Sequence, residues 1–188
     1  MCCGLRNLGL CKLRIRLQLG DEMKGYYPDK PSRPQDYLDS AKESLKVERK
    51  MQTPDDEYFE LTDASPTTAF YEYLDAKGLA YSREEILQII YDTEPTLMAL
   101  KNYYNRPRPA QVNSNISPRK SSTAQTPAYP AGHAFQAYLI AEHLGSKYPV
   151  HYFNFQRIAH RIAEARVKAG LHYPSDNRAA RRMANNLL

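Results

Sequence analysis

The sequence predicts an all-α protein, a helical bundle that forms a single domain. Several segments place apolar residues at the spacing of a helix, and residues that favour helix ends stand at their boundaries. The chain shows no sustained alternation of polar and apolar residues of the kind that predicts a sheet of any size. Its 188 residues are enough for one domain with a sizeable core.

Two helices are predicted in the first part of the chain, at residues 33–50 and 66–77. Ser65 is a good N-cap for the second helix, and Pro66 fits its first turn because an amide hydrogen there would have no helical partner. Gly78 is expected to end this helix.

A capping box formed by Ser82 and Glu85 predicts the start of the next helix. The isoleucines that follow lie on one side of it. Pro95 then either kinks this helix or begins a new one that runs to about Tyr104, because proline has no amide hydrogen to donate.

The last part of the chain is predicted to be helical after one long loop. The predicted helices run from Pro130 to about Lys147, from about Tyr152 to Ala169 and from Pro174 to the end. Before them, residues 105–129 contain four prolines, many Ser, Asn and Thr and almost no apolar side chain. A loop of that length is unusual in a compact domain, so we expect it to frame or cover a site and not to be an idle linker.

Basic charge is concentrated in the second half of the chain. The net charge is +5, yet residues 101–182 hold thirteen Lys and Arg against three Asp and Glu, whereas residues 25–100 are acidic. A nucleic-acid partner is not expected, because the sequence has no recognisable reading motif. A small anionic substrate is the simpler partner.

Residues 1–24 form a basic, cysteine-containing extension that we expect to be disordered, outside the domain of residues 25–188. Palmitoylation of Cys2 and Cys3 beside basic residues would instead make it a peripheral membrane contact, and Met23 is an alternative start. All three cysteines lie in the first eleven residues, so neither a disulfide framework nor a cysteine-based zinc site is expected in the domain.

The sequence contains no predicted membrane span and no convincing signal peptide. No stretch approaches the uninterrupted apolar length of a span, and charges interrupt residues 5–19 where a signal peptide would need an apolar core. We therefore expect a soluble protein, cytoplasmic by default, and leave its oligomeric state open.

Three ionisable clusters stand in order in the second half of the chain. They are Lys101 with Arg108-Pro109, then Pro130-Ala131-Gly132-His133, then Arg166 with His172 and Asp176. Such cations, histidines and carboxylate are what a protein needs to hold a tetrahedral oxyanion, attack it and protonate the leaving group. Together they indicate a phosphate site that requires no metal ion.

Two of these cations are predicted to point into the domain. Arg166 continues the apolar stripe of the helix that begins near Tyr152, and Lys101 falls in line with Leu97 and Tyr104. Burying either cation unpaired would be costly, so we expect them to share an anion. Taken alone, Arg166 would more simply be an arginine that reaches solvent from the end of its helix.

The segment around Gly132 predicts an anion site at a helix start. Pro130 stands where the helix begins, and Gly132 lies beside its first free amides, which favour anions. Alone, this motif would be an ordinary helix start, and His133 would be a packing or solvent-facing residue.

His172 and Asp176 flank a predicted break between helices. Gly170 ends one helix and Pro174 begins the next, so Asp176 can reach the His172 imidazole and fix its tautomer. The simpler alternative is that Asp176 only complements the helix N-terminus. The remaining histidines have no such partner in the sequence and are expected to be structural or exposed; they are His143, His151 and His160.

These residues resemble the signature of a known superfamily, which comprises type 2 phosphatidic acid phosphatases, bacterial class A acid phosphatases and vanadium haloperoxidases. The signature reads K-x-x-x-x-x-x-R-P, then P-S-G-H, then S-R-x-x-x-x-x-H-x-x-x-D. The matching residues are Lys101, Arg108, Pro109, Pro130, Gly132, His133, Arg166, His172 and Asp176. The resemblance covers roughly residues 85–185 and implies a helical bundle of the acid phosphatase/vanadium haloperoxidase type.

The chain departs from this signature at two serines, which are replaced by Ala131 and Ala165. In the family, the serine at the first position donates its hydroxyl to the oxyanion. Its loss is expected to weaken binding by about 1 to 3 kcal/mol and to leave the backbone amides in place. Ala165 is expected to be a packing substitution.

The resemblance implies a metal-independent phosphatase of phosphate monoesters that works through a phosphohistidine. His172, oriented by Asp176, would be the nucleophile, and His133 would be the general acid and base. The phosphate ligands would be Lys101, Arg108, Gly132 and Arg166. No cofactor is required, and the substrate would be a phosphorylated small molecule or lipid.

Two alternatives keep the same pocket. With vanadate bound at His172, as a prosthetic group and not as an inhibitor, it would be a vanadium-dependent haloperoxidase. With catalysis lost, it would be a module that binds a phosphorylated ligand or lipid phosphate and uses residues 1–24 as its membrane contact.

Overall fold

The computed structural model describes residues 37–187, and every regular element within them is a helix. The helices are α1 (Ser40–Lys50), α2 (Asp56–Asp63), α3 (Thr67–Ala76), α4 (Arg83–Tyr104), α5 (Pro109–Val112), α6 (Gly132–Lys147), α7 (Tyr152–Lys168) and α8 (Pro174–Leu187), with a 3₁₀ turn at Pro149–His151. This confirms the all-α prediction. The predicted extension of residues 1–24 lies outside the described residues.

The central helix of the bundle is α6, which packs against α7, α8 and α4. Every residue from Ala134 to Ala141 is buried, so α6 is enclosed on all sides. The core around it contains Phe70, Phe135 and Phe155, each 0% exposed. Because other parts of the protein enclose α6, its N-terminus is held in a fixed position and can orient site residues.

Several helix ends follow the predicted signals. Gly78, which follows α3, has the left-handed φ of +62° that ends a helix without strain. The Ser82 hydroxyl accepts from the Glu85 amide at 3.1 Å, but its own hydrogen goes to Glu84 at 2.9 Å. The half of the capping box in which the serine hydroxyl accepts from the Glu85 amide is therefore confirmed.

Pro95 neither ends α4 nor starts a new helix. The buried face of α4 continues across it through Ile89, Thr93 and Leu97. Losing one helical hydrogen bond at an interior proline costs about 3 kcal/mol, and the apolar contacts on both sides of Pro95 offset that cost. The alternative of a separate helix after Pro95 was therefore wrong.

The first predicted helix is shorter than expected, and α2 was not predicted. α1 begins at Ser40 because the Asp39 carboxylate accepts from the Lys42 amide at 2.8 Å and caps the helix there. α2 is only eight residues long, and its buried face consists of Tyr58, Phe59 and Thr62.

The loop of residues 105–129 is packed onto the bundle. The Ala128 amide donates to the Arg106 carbonyl at 2.9 Å, so the loop returns to its own start. In its middle, Ile116 is buried in a cluster with Val47, Val167 and Tyr173. Within residues 37–187, no helix has both the length and the apolarity needed to cross a bilayer.

Candidate active site

The structure brings the predicted site residues together at the ends of helices. They are Lys101 in the last turn of α4, Arg108 before α5, Gly132 and His133 at the start of α6, Arg166 in the last turn of α7, His172 in the next turn and Asp176 at the start of α8. The charges of the cationic members act on His172, which is their common neighbour.

The His172 imidazole has a partner at each ring nitrogen. Its Nε2 lies 3.0 Å from Arg108 Nη1, and its Nδ1 lies 3.3 Å from Asp176 Oδ2. A guanidinium has no lone pair, so Arg108 donates and Nε2 carries the lone pair. Nδ1 then carries the hydrogen that is donated to Asp176. The ring is therefore held in the tautomer that a nucleophilic Nε2 requires.

The surroundings of His172 favour its neutral form. The residue is 2% exposed. Burial, followed by the charges of Arg108, Lys101 and Arg166, holds the pKa of His172 well below its ordinary value. The Nε2 lone pair is therefore available at physiological pH.

Asp176 is wholly buried and uses both carboxylate oxygens. Oδ2 accepts from the Tyr173 amide at 2.8 Å as well as from His172, and Oδ1 accepts from Arg106 Nη1 at 2.6 Å. Burial raises the pKa of Asp176 to about 7, and the charge of Arg106 works against that rise. The ionisation of Asp176 is therefore balanced near neutral pH.

Lys101 is a buried ammonium group at the end of α4. Its Nζ donates to the Pro127 carbonyl at 2.6 Å, and the residue is 4% exposed. Burial, followed by repulsion from Arg108, lowers the pKa of Lys101 to about 7. An anion bound nearby would restore the charged form, so anion binding would be coupled to proton uptake.

Arg108 joins the long loop to the turn that holds His172. Its Nε donates to the Thr126 carbonyl at 2.8 Å, and its Nη1 donates to the Leu171 carbonyl at 2.7 Å. Thr126 directly precedes Pro127, the partner of Lys101, so the end of the loop holds both cations side by side. The loop of residues 105–129 thus frames the site, as the sequence predicts.

The N-terminus of α6 approaches α4 closely at Gly132. A Cβ there would come within 3.1 Å of Leu97 Cδ2 and 3.7 Å of Lys101 Cε. Glycine therefore lets the first amides of α6, which have no helical carbonyl to bond, lie near the Lys101 ammonium. Ala131 occupies the N-cap position and offers no side-chain oxygen, while its amide donates to the Asp176 carbonyl at 3.3 Å.

His133 donates from Nε2 to the Asp63 carbonyl, 2.9 Å away. Because a carbonyl oxygen can only accept, Nε2 carries a hydrogen and Nδ1 carries the lone pair in the neutral ring. Burial, followed by the charge of Arg166, lowers the pKa of His133 to about 3. The ring is therefore neutral before an anion binds.

Arg166 is ion-paired with Asp63, a residue that the sequence did not indicate. Its Nη2 also donates to Thr123 Oγ1 at 3.0 Å and to Ser121 Oγ at 3.4 Å, both in the long loop. Its Nε is buried and has no hydrogen-bond partner within the described residues. The expectation that Lys101 and Arg166 depend on one shared anion is therefore wrong for Arg166, because Asp63 already balances its charge.

Asp63 was missed because it ends α2, the helix that the sequence did not predict. The available signal was the spacing of Tyr58, Phe59 and Thr62, which places Asp63 at the end of a short amphipathic helix. Arg106 was likewise not singled out as a site residue, although its side chain is 0% exposed and paired with Asp176 and Glu43.

A cleft of about 780 Å³ opens beside this cluster. Asp63 and Phe59 line it, and both contact Arg166, whose Cζ lies 5.3 Å from the centre of the Phe59 ring. Farther out, Arg119, Lys120 and Glu60 line the cleft. The predicted site residues do not themselves line this cleft, and Asp63 and Phe59 connect it to Arg166.

Two of the histidines outside the predicted site have structural partners. His143 Nε2 lies 3.3 Å from Glu85 Oε1, and His151 Nδ1 lies 2.7 Å from the Tyr73 hydroxyl. The sequence did not indicate Glu85 as a partner of His143, because the two residues come from separate helices. Within residues 37–187, no group of three or more His, Cys, Asp and Glu side chains has an arrangement suited to a metal ion.

The comparisons with known proteins support the fold. No protein-family model matches the sequence, and no curated protein matches it. Among solved structures, the chain is similar to a transmembrane PAP2-type phosphatidylglycerolphosphate phosphatase from Bacillus subtilis, at 15% identity. The match covers 96% of this chain and 92% of the other, with a TM-score of 0.57. The chain therefore has the fold of a PAP2-type phosphatase, in agreement with the superfamily that its motifs resemble.

Proposed function

We propose that the protein is a phosphatase that hydrolyses phosphate monoesters through a phosphohistidine on His172. The observation that carries the proposal is the arrangement of His172, whose Nε2 lone pair faces Arg108 while Nδ1 donates to Asp176. A nucleophile held in this tautomer beside a cation suits attack on a phosphoryl group. The likeness to a PAP2-type phosphatase supports the same class of chemistry.

The reaction would have two halves. In the first, His172 Nε2 attacks phosphorus, the bond from phosphorus to the ester oxygen breaks, and His133 gives that oxygen a proton. In the second, water attacks phosphorus, His133 takes a proton from it, and the bond from phosphorus to nitrogen breaks. Inorganic phosphate and neutral His172 are the products.

His133 must gain its proton together with the substrate. With a pKa of about 3, the free ring is neutral, and the negative charge of a phosphate beside it would raise that pKa. A substrate that binds as a monoanion would supply the same proton. We therefore expect turnover to depend on proton uptake when the substrate binds.

The cations of the chain would stabilise the phosphoryl group. Lys101, Arg108 and Arg166 would neutralise its nonbridging oxygens, and the Gly132 amide would donate to one of them. We assign no step to a metal ion. Arg108 has a second effect, because it must give up its hydrogen bond to His172 Nε2 as phosphorus approaches.

The chemistry shared by the expected substrates is that of a phosphate monoester. The alcohol portion would lie in the cleft beside Asp63 and Phe59, which has space for a small molecule or for the head of a lipid phosphate. Aryl phosphates and phosphatidic acid in mixed micelles would distinguish these two sources of the same group.

The test is hydrolysis of an aryl phosphate by the purified protein in excess chelator. We expect turnover, its loss in His172→Ala, and an acid-labile phosphoprotein that forms in the wild type but not in His172→Ala. His160→Ala is the matched control, since His160 is exposed and has no role in the proposed mechanism. Full turnover in His172→Ala, or turnover abolished by the chelator, would overturn the proposal.

The same preparation tests the two alternatives. Bromide oxidation with vanadate and peroxide, in the absence of phosphatase turnover, would replace the proposal with a haloperoxidase. Sedimentation with vesicles of phosphatidic acid, without turnover and dependent on residues 1–24, would replace it with a binding module.

A further inference from the structure

Arg106 lies wholly inside the protein, and the mechanism proposed above does not use it. Its guanidinium donates to Ser40 Oγ at 3.1 Å, Ser175 Oγ at 2.6 Å, Asp176 Oδ1 at 2.6 Å, the Leu38 carbonyl at 3.0 Å and Glu43 Oε2 at 3.0 Å. Its Cζ also lies 3.9 Å from the centre of the Tyr173 ring. Every nitrogen of the side chain is therefore in use, and Arg106 has a single fixed position.

Glu43 connects this arginine to the start of α8. It projects from α1 with a side chain that is 1% exposed. Its Oε1 accepts from the Ser175 amide at 2.9 Å, and its Oε2 accepts from the Ser175 hydroxyl as well as from Arg106. Arg178 approaches Oε1 to 3.6 Å from the exposed side. Glu43 thus fixes both Arg106 and the residue that precedes Asp176.

The two sides of the Asp176 carboxylate have different partners. Oδ1 binds Arg106, whereas Oδ2 binds His172 and the Tyr173 amide. The buried group formed by Arg106, Glu43 and Asp176 contains one cation and two carboxylates. Because one guanidinium is shared between two acids, a change in either partner alters how strongly Asp176 holds its negative charge.

We propose that Arg106 and Glu43 are positioning residues: Arg106 keeps Asp176 ionised, and Glu43 holds Arg106 and the start of α8 in place, so that His172 retains its lone pair on Nε2. Their importance for turnover depends on the proposed function, but their effect on the His172 tautomer does not. The chain of contacts runs from α1 through Arg106 to Asp176 and His172.

All charged and titratable groups that face Asp176 enter this balance. They are Lys101 from α4, Arg106 and Arg108 from the long loop, Glu43 from α1, and His172 and Tyr173 from the turn before α8. After burial, Arg106 has the largest effect and lowers the pKa of Asp176, whereas Glu43 raises it. The two positioning residues therefore act on the same carboxyl group with opposite signs.

Because Arg106 and Glu43 act on the pKa of Asp176 in opposite directions, their substitutions should shift it in opposite directions. In Arg106→Met, Asp176 becomes protonated and its O–H donates a hydrogen bond to His172 Nδ1. The imidazole hydrogen is then on Nε2, which removes the nucleophilic lone pair. The acid limb of kcat/KM then shifts upward by about 1 pH unit or more. In Glu43→Gln, Asp176 is the only one of the two carboxylates left to pair with Arg106. The pKa of Asp176 falls, and the acid limb of kcat/KM shifts downward by about 1 pH unit.

The first experiment compares the pH profiles of kcat/KM for an aryl phosphate. Arg161→Met is the matched control, because Arg161 also pairs with a carboxylate, at 2.9 Å, and stacks on a tyrosine ring, at 4.0 Å, but has no link to His172. We expect its profile to match that of the wild type. Shifts of the same sign in Arg106→Met and Glu43→Gln, or no shift in either, would overturn the proposal.

The second experiment does not depend on turnover. In protein labelled with ¹⁵N at histidine, the His172 shifts report which ring nitrogen carries the hydrogen. At pH 8, where Asp176 is mostly ionised in the wild type, we expect mainly Nδ1–H in the wild type and in Arg161→Met, and a larger fraction of Nε2–H in Arg106→Met. An unchanged tautomer in Arg106→Met would overturn the proposal even if the protein proves to have no phosphatase activity.

Two further variants test whether the effect of Arg106→Met arises from misfolding or by a route that does not involve Asp176. Arg106→Lys keeps a cation in place and should shift the acid limb upward by less than Arg106→Met. In an Asp176→Asn background, Arg106→Met should change neither the His172 tautomer nor kcat/KM further, because position 176 no longer ionises. A further loss of equal size in that background would show that Arg106 acts by another route and would overturn the proposal.

Discussion

The Asp63 carboxylate is ion-paired with Arg166, and the backbone carbonyl of the same residue accepts a hydrogen bond from His133. One residue at the end of α2 thus touches a proposed phosphate ligand and the proposed general acid. Burial would raise the pKa of Asp63, but the hydrogen bond from Ser121 and the pair with Arg166 hold it below its ordinary value. A negative charge therefore lies beside the proposed phosphate site at neutral pH.

Asp63→Asn should strengthen the binding of inorganic phosphate. The amide can still accept from Arg166, whereas the repulsion between the carboxylate and a bound anion is removed. We expect the Kd for phosphate to fall about tenfold, which corresponds to about 1.4 kcal/mol. Isothermal titration calorimetry at low salt measures this change.

Asp55→Asn is the matched control for that substitution. Asp55 also accepts from an arginine, Arg161, at 2.9 and 3.0 Å, but it has no contact with the proposed site. Its phosphate affinity should equal that of the wild type. Weaker binding in Asp63→Asn would mean that the carboxylate mainly orients Arg166 and does not compete with the anion.

Anion binding should become weaker as the pH rises through neutrality. Lys101 has a pKa of about 7 in the free protein, and a bound dianion raises that pKa. Above pH 7, the protein must therefore take up a proton to bind, and the Kd for sulfate should increase up to about tenfold for each pH unit. Sulfate is the suitable probe because, unlike phosphate, it does not titrate in this range.

Lys101→Arg supplies the control for the pH dependence. A guanidinium stays protonated throughout this range, so the sulfate Kd of the variant should vary less with pH than that of the wild type. An equally steep dependence in Lys101→Arg would assign the proton uptake to another group, of which Asp176, with a pKa of about 7, is the first candidate.

The site residues could be predicted from sequence where their chemistry coincides with helix boundaries. Gly132 is the first residue of α6, two positions after Pro130, and Asp176 falls in the first turn of α8, four residues after His172. Local spacing was also sufficient to orient Lys101 and Arg166 inward, and both residues are buried. These features depend on neighbours within a few turns, which a single sequence shows directly.

The partners of the site residues could not be predicted in the same way. Asp63 lies 103 positions from Arg166, and Glu43 lies 63 positions from Arg106. No local period relates such pairs, because the packing of separate helices brings them together. The missing hydroxyl at position 131 could be recognised only by comparison with the family motif. The structure adds that Ala131 is the N-cap of α6.

Ala131→Ser should restore a missing donor at the start of α6. A serine at the N-cap accepts from a first-turn amide in the free protein, which adds about 1 kcal/mol of stability, and its hydroxyl can instead donate to a bound oxyanion. We expect kcat/KM for an aryl phosphate to rise about tenfold.

Ala165→Ser, at the other departure from the family motif, is the control. Ala165 is buried in α7 and packs in the core, so this substitution should leave kcat/KM unchanged. Equal effects of the two substitutions would contradict a specific role for the N-cap hydroxyl.

Gly132→Ala should impair the site more than it destabilises the fold. The added methyl would lie 3.1 Å from Leu97 Cδ2 and 3.7 Å from Lys101 Cε, so Leu97 or the start of α6 must shift beside the Lys101 side chain. Gly145→Ala is the matched control in the same helix, because its methyl would lie only 2.5 Å from Tyr152 Cδ2, far along α6 from the site. Overpacking of that kind typically costs 1 to about 3 kcal/mol. Thermal unfolding should therefore show the larger loss of stability for Gly145→Ala, whereas sulfate titrations at a temperature where both variants are folded should show weaker binding for Gly132→Ala alone.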